Sequence, residues 1–132
     1  MRTLTRPQRG GSPEAGFTLI ELLVVLIVIG ILLAIAVPSY FGFRDRAANN
    51  EAKTNLREAL PTAQAYYDDN GAYSGMDAAA LLAIEGDLSS TLEVVSADEK
   101  SYCLTDTVRG RTWSVAGPAP SSGDFHASSD CS

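Results

Sequence analysis

The hydrophobic pattern divides the chain into an apolar segment and a mixed remainder. Residues 17–37 are almost all Leu, Ile, Val and Ala, and Glu21 is the only charged residue among them. At about 1.5 Å per helical residue, this run spans roughly 30 Å, about the thickness of the hydrocarbon core of a bilayer. The run predicts a membrane-spanning helix, and a carboxylate inside it requires an explanation.

Beyond Ala47 the pattern becomes amphipathic, because apolar residues recur every three or four positions, as on one face of a helix. The predicted stripe is Ala52, Leu56, Leu60, Ala63 and Tyr67, whereas the other faces mostly carry Asn49, Asn50, Lys53, Asn55 and Glu58. Pro61 is expected to bend this helix and Asn70-Gly71 to end it. The stripe needs a partner, which a C-terminal sheet would supply.

The period changes in the last third of the chain. Alternation predicts strands over 91–95, 101–107 and 112–116, whose inward residues are Leu92, Val94, Tyr102, Leu104, Trp113 and Val115. Asp77 is placed to cap a short helix over Ala78–Ile84 that ends at Gly86. Residues 118–132 show no periodicity and predict a loop. The predicted fold class is α+β: a long N-terminal helix, half transmembrane and half amphipathic, packed on a small antiparallel sheet.

Charge and cysteine content both favour an exported head. The formal net charge is −6, but residues 1–16 carry three arginines against Glu14, or +2, so the remainder carries −8. A basic segment ahead of the apolar run predicts a cytoplasmic N-terminus and an exported C-terminus. Cys103 and Cys131 fit one disulfide, which requires an oxidising compartment and is worth about 3.5 kcal/mol by the chain-entropy relation. The acidic remainder argues against a nucleic-acid partner.

The sequence offers few residues for chemistry. His126 is the one histidine, and there is no phosphate-binding loop, nucleophile elbow or convincing carboxylate pair. The acidic pairs Asp98-Glu99 and Asp124 with Asp130 do not resemble a calcium loop. We therefore expect no enzymatic activity, no cofactor and no metal site.

Two cleavage sites compete at the N-terminus. A secretory signal would be cut after the triplet Ala34-Ile35-Ala36, which would release a soluble binding domain, but its apolar region would be unusually long and would contain Glu21. Cleavage between Gly16 and Phe17 would instead leave the apolar run in the mature chain. The N-terminal residue of the mature protein distinguishes the two.

Residues 16–25, Gly-Phe-Thr-Leu-Ile-Glu-Leu-Leu-Val-Val, resemble the class III signal of type IV pilins and pseudopilins. The resemblance implies three segments: a leader over 1–16, a transmembrane and assembly half-helix over 17–43, and a globular head over 44–132. It also implies that prepilin peptidase cuts between Gly16 and Phe17 and that Phe17 is then N-methylated.

The resemblance further implies a filament subunit. Glu21 would pair with the Phe17 amine of a neighbouring subunit, since both charges are costly to leave alone in an apolar bundle. Helix would be lost between Gly30 and Pro38 in the assembled filament. The implied partners are other pilin subunits, minor pilins among them, the pilus assembly platform and the inner membrane, which the subunit would cross once before extraction into an extracellular filament. A pseudopilin of a type II secretion or DNA-uptake system is the alternative within the family.

The residues after Pro38 suggest a membrane boundary. Tyr40, Phe41 and Phe43 are followed by Arg44 and Arg46, a pattern typical of an interfacial aromatic belt with lipid-facing basic residues. Arg109-Gly110-Arg111 is interpreted as a solvated turn. Attachment, twitching motility and DNA uptake would be consequences of a filament and are not specified by these residues.

Overall fold

The computed structural model describes residues 16–118 and 124–131. It confirms the α+β class, with two helices followed by four strands. The elements are α1 (Leu19–Asn70), α2 (Ala78–Ile84), β1 (Leu92–Ala97), β2 (Tyr102–Val108), β3 (Arg111–Gly117) and β4 (Phe125–His126). The predicted leader, apart from Gly16, lies outside the described residues.

The chain forms two compact units that divide between Ser39 and Tyr40. The described part of the first unit is the beginning of α1, which contains an 18-residue window of mean hydropathy 3.2, none of it buried. Only this helix, among the described residues, is long and apolar enough to cross a membrane. The second unit contains the rest of α1, α2 and the sheet.

Helix α1 ends where the sequence predicted. Asn70 is its last residue, and Gly71 adopts a φ of 74°, a left-handed conformation in which its amide donates to the Tyr67 carbonyl at 2.7 Å. The helix assignment continues through Pro38 and Pro61, so neither proline ends it.

Helix α2 covers the predicted residues, Ala78–Ile84, and its C-terminal cap lies one residue before the predicted Gly86. The Asp77 side chain accepts a hydrogen bond from the Ala80 amide at 2.7 Å, as an N-cap does. The last helical residue is Ile84, and the Glu85 amide closes the final turn on the Leu81 carbonyl. The cap is thus an extended Glu85 and not Gly86.

The sheet is an antiparallel meander in the order β1-β2-β3-β4. The three predicted strands are present, each shifted or extended by one or two residues. The register between β1 and β2 shifts between Val94 and Ser96, which leaves Val95 unpaired and exposed. The prediction of a structureless C-terminal segment was wrong in one part, since β4 pairs Phe125 with Val115 and His126 with Ser114.

The core lies between the second half of α1 and the sheet. The helix contributes a nearly straight stripe of small and branched residues with one side chain in each turn: Ala48, Ala52, Leu56, Ala59 and Ala63. The sheet contributes Leu92, Tyr102, Leu104 and Val115, all at most 4% exposed. Leu60 and Tyr67, predicted for the stripe, are half-buried at its margin.

Candidate processing and assembly site

The predicted cleavage site directly precedes the start of a helix. Gly16 and Phe17 are exposed and belong to no helix or strand, and α1 begins two residues later at Leu19. No atom lies within 4 Å of the position that a Cβ on Gly16 would occupy. The bond between Gly16 and Phe17 is therefore accessible and extends beyond the helical hydrogen bonding, as a peptide bond must to enter a protease.

Thr18 sets this helix start, a role that the sequence reasoning missed. Its Oγ1 accepts a hydrogen bond from the Glu21 amide at 3.2 Å, and its carbonyl accepts one from the Leu22 amide, also at 3.2 Å. This is N-cap geometry, which satisfies amides that the first helical turn leaves unpaired. The signal was present in the sequence, because Thr18 and Glu21 have the Thr-x-x-Glu spacing of a capping box.

Glu21 lies in the first turn of α1, where a carboxylate interacts favourably with the helix dipole by about 0.3–1 kcal/mol. Four residues of helical rise place it only about 6 Å along the axis from Phe17. Its side chain is exposed and belongs to a surface that is otherwise apolar. A positive group supplied by another molecule would therefore find one anionic position on this part of the helix.

The apolar side chains around Glu21 have no partner within the subunit. Every large apolar residue from Phe17 to Phe43 is at least 45% exposed. Gly30 is open on its outer side, with nothing within 4 Å of the position that a Cβ would occupy. A continuous apolar surface of this length can be covered only by lipid or by other protein chains.

Pro38 marks the weakest hydrogen bonding in this part of α1. It has no amide with which to bond the Ala34 carbonyl. One residue later, the Ser39 hydroxyl donates to the Ile35 carbonyl at 3.4 Å, a side-chain contact that competes with the backbone ladder. The helix is intact at Pro38. Because one backbone hydrogen bond is missing there, this is also where the first half of α1 is most easily unwound.

The N-terminal segment matches a family model described as the prokaryotic N-terminal methylation motif, over residues 11–37. Over 106 residues the chain is 36% identical to the type IV wide pilus major component PilA4 of Thermus thermophilus, an alignment that covers 78% of this chain and 81% of that protein. The chain belongs to the type IV pilin family. Over 116 residues it is also 34% identical to the fimbrial protein EcpC of Eikenella corrodens, with 80% of this chain and 76% of that protein covered.

Two other relatives match a shorter part of this pilin. The type IV major pilin protein PilA of Myxococcus xanthus is 41% identical over 69 residues, which are 52% of this chain and 31% of that protein. The type II secretion system core protein G of Pseudomonas aeruginosa is 38% identical over 60 residues, or 46% of this chain and 42% of that protein. The chain therefore spans less than half the length of these two relatives.

The C-terminal segment of the pilin is tied to the sheet. A disulfide joins Cys103 in β2 to Cys131, 28 residues later, with 5.9 Å between their Cα atoms. The Ser114 hydroxyl in β3 donates to the Asp130 carbonyl at 2.5 Å, and Ser128 donates to the same oxygen. Covalent and hydrogen bonds thus hold the end of the chain against two strands.

The inner face of β2 carries a buried carboxylate next to two apolar residues. Asp106 continues the alternation of Tyr102 and Leu104 and is fully buried. One carboxylate oxygen accepts from the Asn55 amide at 2.8 Å, and the other accepts from the hydroxyls of Thr91 at 2.6 Å and Ser89 at 3.1 Å. This polar node connects α1, the segment before β1, and β2.

Polar residues of α1 contact the aromatic residues of the sheet. The Trp113 indole donates to Asn49 at 3.1 Å, and the Lys53 ammonium lies 3.8 Å from the centre of the same ring. The Arg57 guanidinium lies 5.0 Å from the Phe125 ring centre. Sequence reasoning placed Asn49, Lys53 and Asn55 mostly on other faces of the helix. In the structure their side chains are half-buried beside the stripe, where they contact Trp113 and Asp106 of the strands.

Three tyrosines close the far end of the core. The Tyr73 ring lies 4.8 Å from that of Tyr67 and 4.7 Å from that of Tyr102, measured between ring centres. Burial, with a smaller contribution from Tyr73, raises the pKa of Tyr102 to about 12. Burial also raises the pKa of Tyr73, with Tyr67 and Asp68 adding to the effect.

The described residues hold no group of three or more His, Cys, Asp or Glu side chains arranged to bind a metal ion. The Asp106 carboxylate is buried, and its partners Asn55, Ser89 and Thr91 are neutral donors at the edge of the core. Among the described residues, the largest surface without a partner is the apolar first half of α1.

Proposed function

We propose that this pilin is processed by prepilin peptidase between Gly16 and Phe17, N-methylated at Phe17, and polymerised through residues 17–43 into a type IV pilus filament. The observation that carries the proposal is the complete exposure of the apolar half of α1 in the isolated subunit. Lipid would cover that surface before assembly and neighbouring helices afterwards. The pilin would cross the inner membrane once, with its head exported.

In this proposal Glu21 pairs with the Phe17 amine of a neighbouring subunit. The helix dipole explains why a carboxylate is tolerated in the first turn, and its stabilisation is small. Inside a bundle of apolar helices an unpaired amine and an unpaired carboxylate would each be costly, so mutual neutralisation would select the register in which subunits add. The pairing is intermolecular and supplies a specific contact that an apolar surface lacks.

The experiment has two parts. Mass spectrometry of the N-terminal peptide of the mature chain should find N-methylated Phe17, and an N-terminus at Val37 would contradict the proposal. For Glu21→Ala we expect normal cleavage but little pilin in sheared filaments. Thr18→Ala is the matched control, since it weakens the same helix start without removing the charge. Equal filament yields from the two variants would refute the pairing.

The match to a type II secretion core protein supports a pseudopilin as the second candidate. That match covers 42% of the relative, whereas the alignment to the wide-pilus component covers 81%. The pilus subunit is therefore the better supported function. Co-purification with the assembly platform of a secretion system, without recovery in sheared filaments, would reverse this order.

A further inference from the structure

We propose that four arginines of the head form a collar that binds the anionic headgroups of phospholipids on the exported side of the membrane. The arginine collar consists of Arg44, Arg46, Arg109 and Arg111. The inference rests on the cleavage and topology proposed above, and it adds a lipid ligand that neither the apolar helix nor the filament requires.

An ion pair brings the two parts of the collar together. Arg111 begins β3, and its Nη2 lies 2.6 Å from the Asp45 Oδ2 in α1. The turn between β2 and β3 therefore lies beside the residues that flank Asp45 in sequence, Arg44 and Arg46. Both members of the ion pair are about half exposed, so water and headgroups can reach them.

Arg109, like Arg46, has no ion-pair partner among the described residues. It is exposed, its φ of 50° is left-handed, and it makes no hydrogen bond or ion pair with the rest of the described chain. The next residue, Gly110, has a φ of 79°. The turn thus presents a free guanidinium, the group best suited to binding a phosphate through two parallel hydrogen bonds.

Chain length alone keeps the collar close to the membrane. Asp45 follows Pro38 by seven residues, so it cannot lie farther than about 25 Å from the end of the apolar run even with the chain extended. Tyr40, whose ring centre lies 5.8 Å from the Arg44 guanidinium, occupies the position of an interfacial aromatic residue.

The charge distribution selects an anionic lipid as the ligand. Residues 44–132 contain seven Lys and Arg and fourteen Asp and Glu, or −7 in total, yet four of the seven cations are in the collar. Asp45 lowers the charge of the collar only from +4 to +3. Of the other cations, Lys53 and Arg57 lie over aromatic rings of the sheet. An acidic head with its basic residues gathered beside the membrane span is complementary to an anionic bilayer surface.

Cleavage makes this complementarity important. Arg2, Arg6 and Arg9 belong to the leader, so the mature chain retains none of them on the cytoplasmic side. The basic residues flanking the span are then all on the exported side, opposite to the usual positive-inside distribution. Headgroup binding by the collar would hold the mature pilin at its proper depth after the leader has gone.

The test uses the full-length mature pilin in nanodiscs of phosphatidylcholine with or without phosphatidylglycerol. The test variant is R46Q/R109Q, since these two arginines form no ion pair within residues 16–118 and 124–131. An arginine near an anionic surface contributes about fivefold in affinity, so we expect about 25-fold weaker retention of phosphatidylglycerol by native mass spectrometry. Amide hydrogen exchange of residues 108–112 should be slowed by phosphatidylglycerol in the wild-type pilin and not in R46Q/R109Q. K100Q, at the opposite end of β2, is the matched control, and R46K/R109K should retain binding.

Three results would overturn the collar. One is equal phosphatidylglycerol retention by R46Q/R109Q and K100Q, and another is equal slowing of exchange by phosphatidylcholine alone. The third is an R46Q/R109Q variant that retains phosphatidylglycerol normally but fails to assemble into filaments. That result would indicate that these arginines bind an acidic face of a neighbouring pilin. The N-terminal mass is measured in the same sample, so a chain that retains its leader identifies a failure of the proposed processing and not of the collar.

Discussion

Removal of the buried carboxylate at Asp106 should destabilise the pilin head more than its small volume suggests. Asp106→Ala deletes three hydrogen bonds, from Asn55, Ser89 and Thr91. Hydrogen bonds to a charged group are worth about 1.5–3 kcal/mol each, which sets an upper bound near 9 kcal/mol. Thr91 is exposed and Ser89 and Asn55 are half-buried, so water can replace part of what is lost. We therefore expect the free energy of unfolding to fall by about 3–4 kcal/mol.

Urea unfolding of the detergent-solubilised pilin, with the disulfide intact, measures this change. Trp113 is the only tryptophan and pairs with Asp106 across β2 and β3, so its fluorescence reports the relevant region. In a double-mutant cycle with Asn55→Ala, the two losses should be less than additive by about 1–2 kcal/mol, because both changes remove the same bond. Additive losses, or a loss below 1 kcal/mol for Asp106→Ala, would refute the role of this node.

Three further predictions concern the rest of the head. The raised pKa of Tyr102 means that its charged form is disfavoured in the folded state. The contribution of neutral Tyr102 to the free energy of unfolding is therefore fully present below pH 10 and is lost as pH rises toward 12. Unfolding midpoints should fall over that interval, and Tyr102→Phe should flatten the fall. Replacement of both Cys103 and Cys131 by Ser should lower the free energy of unfolding by about 3.5 kcal/mol in chemical denaturation, and an unchanged midpoint would contradict the proposed stabilisation. Gly117→Ala places a methyl group inside the Tyr102 ring and should cost about 1–3 kcal/mol or more by the same assay, with partial rescue by Tyr102→Leu.

Elements with a local signal could be predicted from the sequence. The end of α1 at Asn70, the Asp77 cap and the approximate positions of β2 and β3 each depend on neighbouring residues, and each is present in the structure. The Thr18 cap was equally local and was missed, because Glu21 was interpreted as the partner of a neighbouring Phe17 amine and not also as the N3 residue of a capping box.

Features that depend on distant partners could not be predicted in this way. Asn55 and Asp106 are 51 positions apart, and Trp113 and Asn49 are 64 apart, so helical periodicity placed Asn49 and Asn55 outside the stripe and gave no sign of their partners in the sheet. Strand β4 has only two residues and no repeating pattern, and it exists because β3 and the adjoining disulfide hold it in place. The proposed pairing of Glu21 with a Phe17 amine would form between two molecules, so a single subunit cannot display it.

The exposed apolar half of α1 also determines which surroundings the pilin can occupy. Burial of a Leu, Ile, Val or Phe side chain is worth about 1.5–3 kcal/mol, so releasing this surface into water would cost on the order of 30 kcal/mol. At such a cost a free subunit has a negligible concentration in the aqueous phase. The apolar helix must therefore pass directly from the bilayer into the filament core, without an intermediate stage in water. Growth and shortening of the filament are therefore confined to the end that touches the membrane, and a filament broken elsewhere has no route by which to exchange subunits.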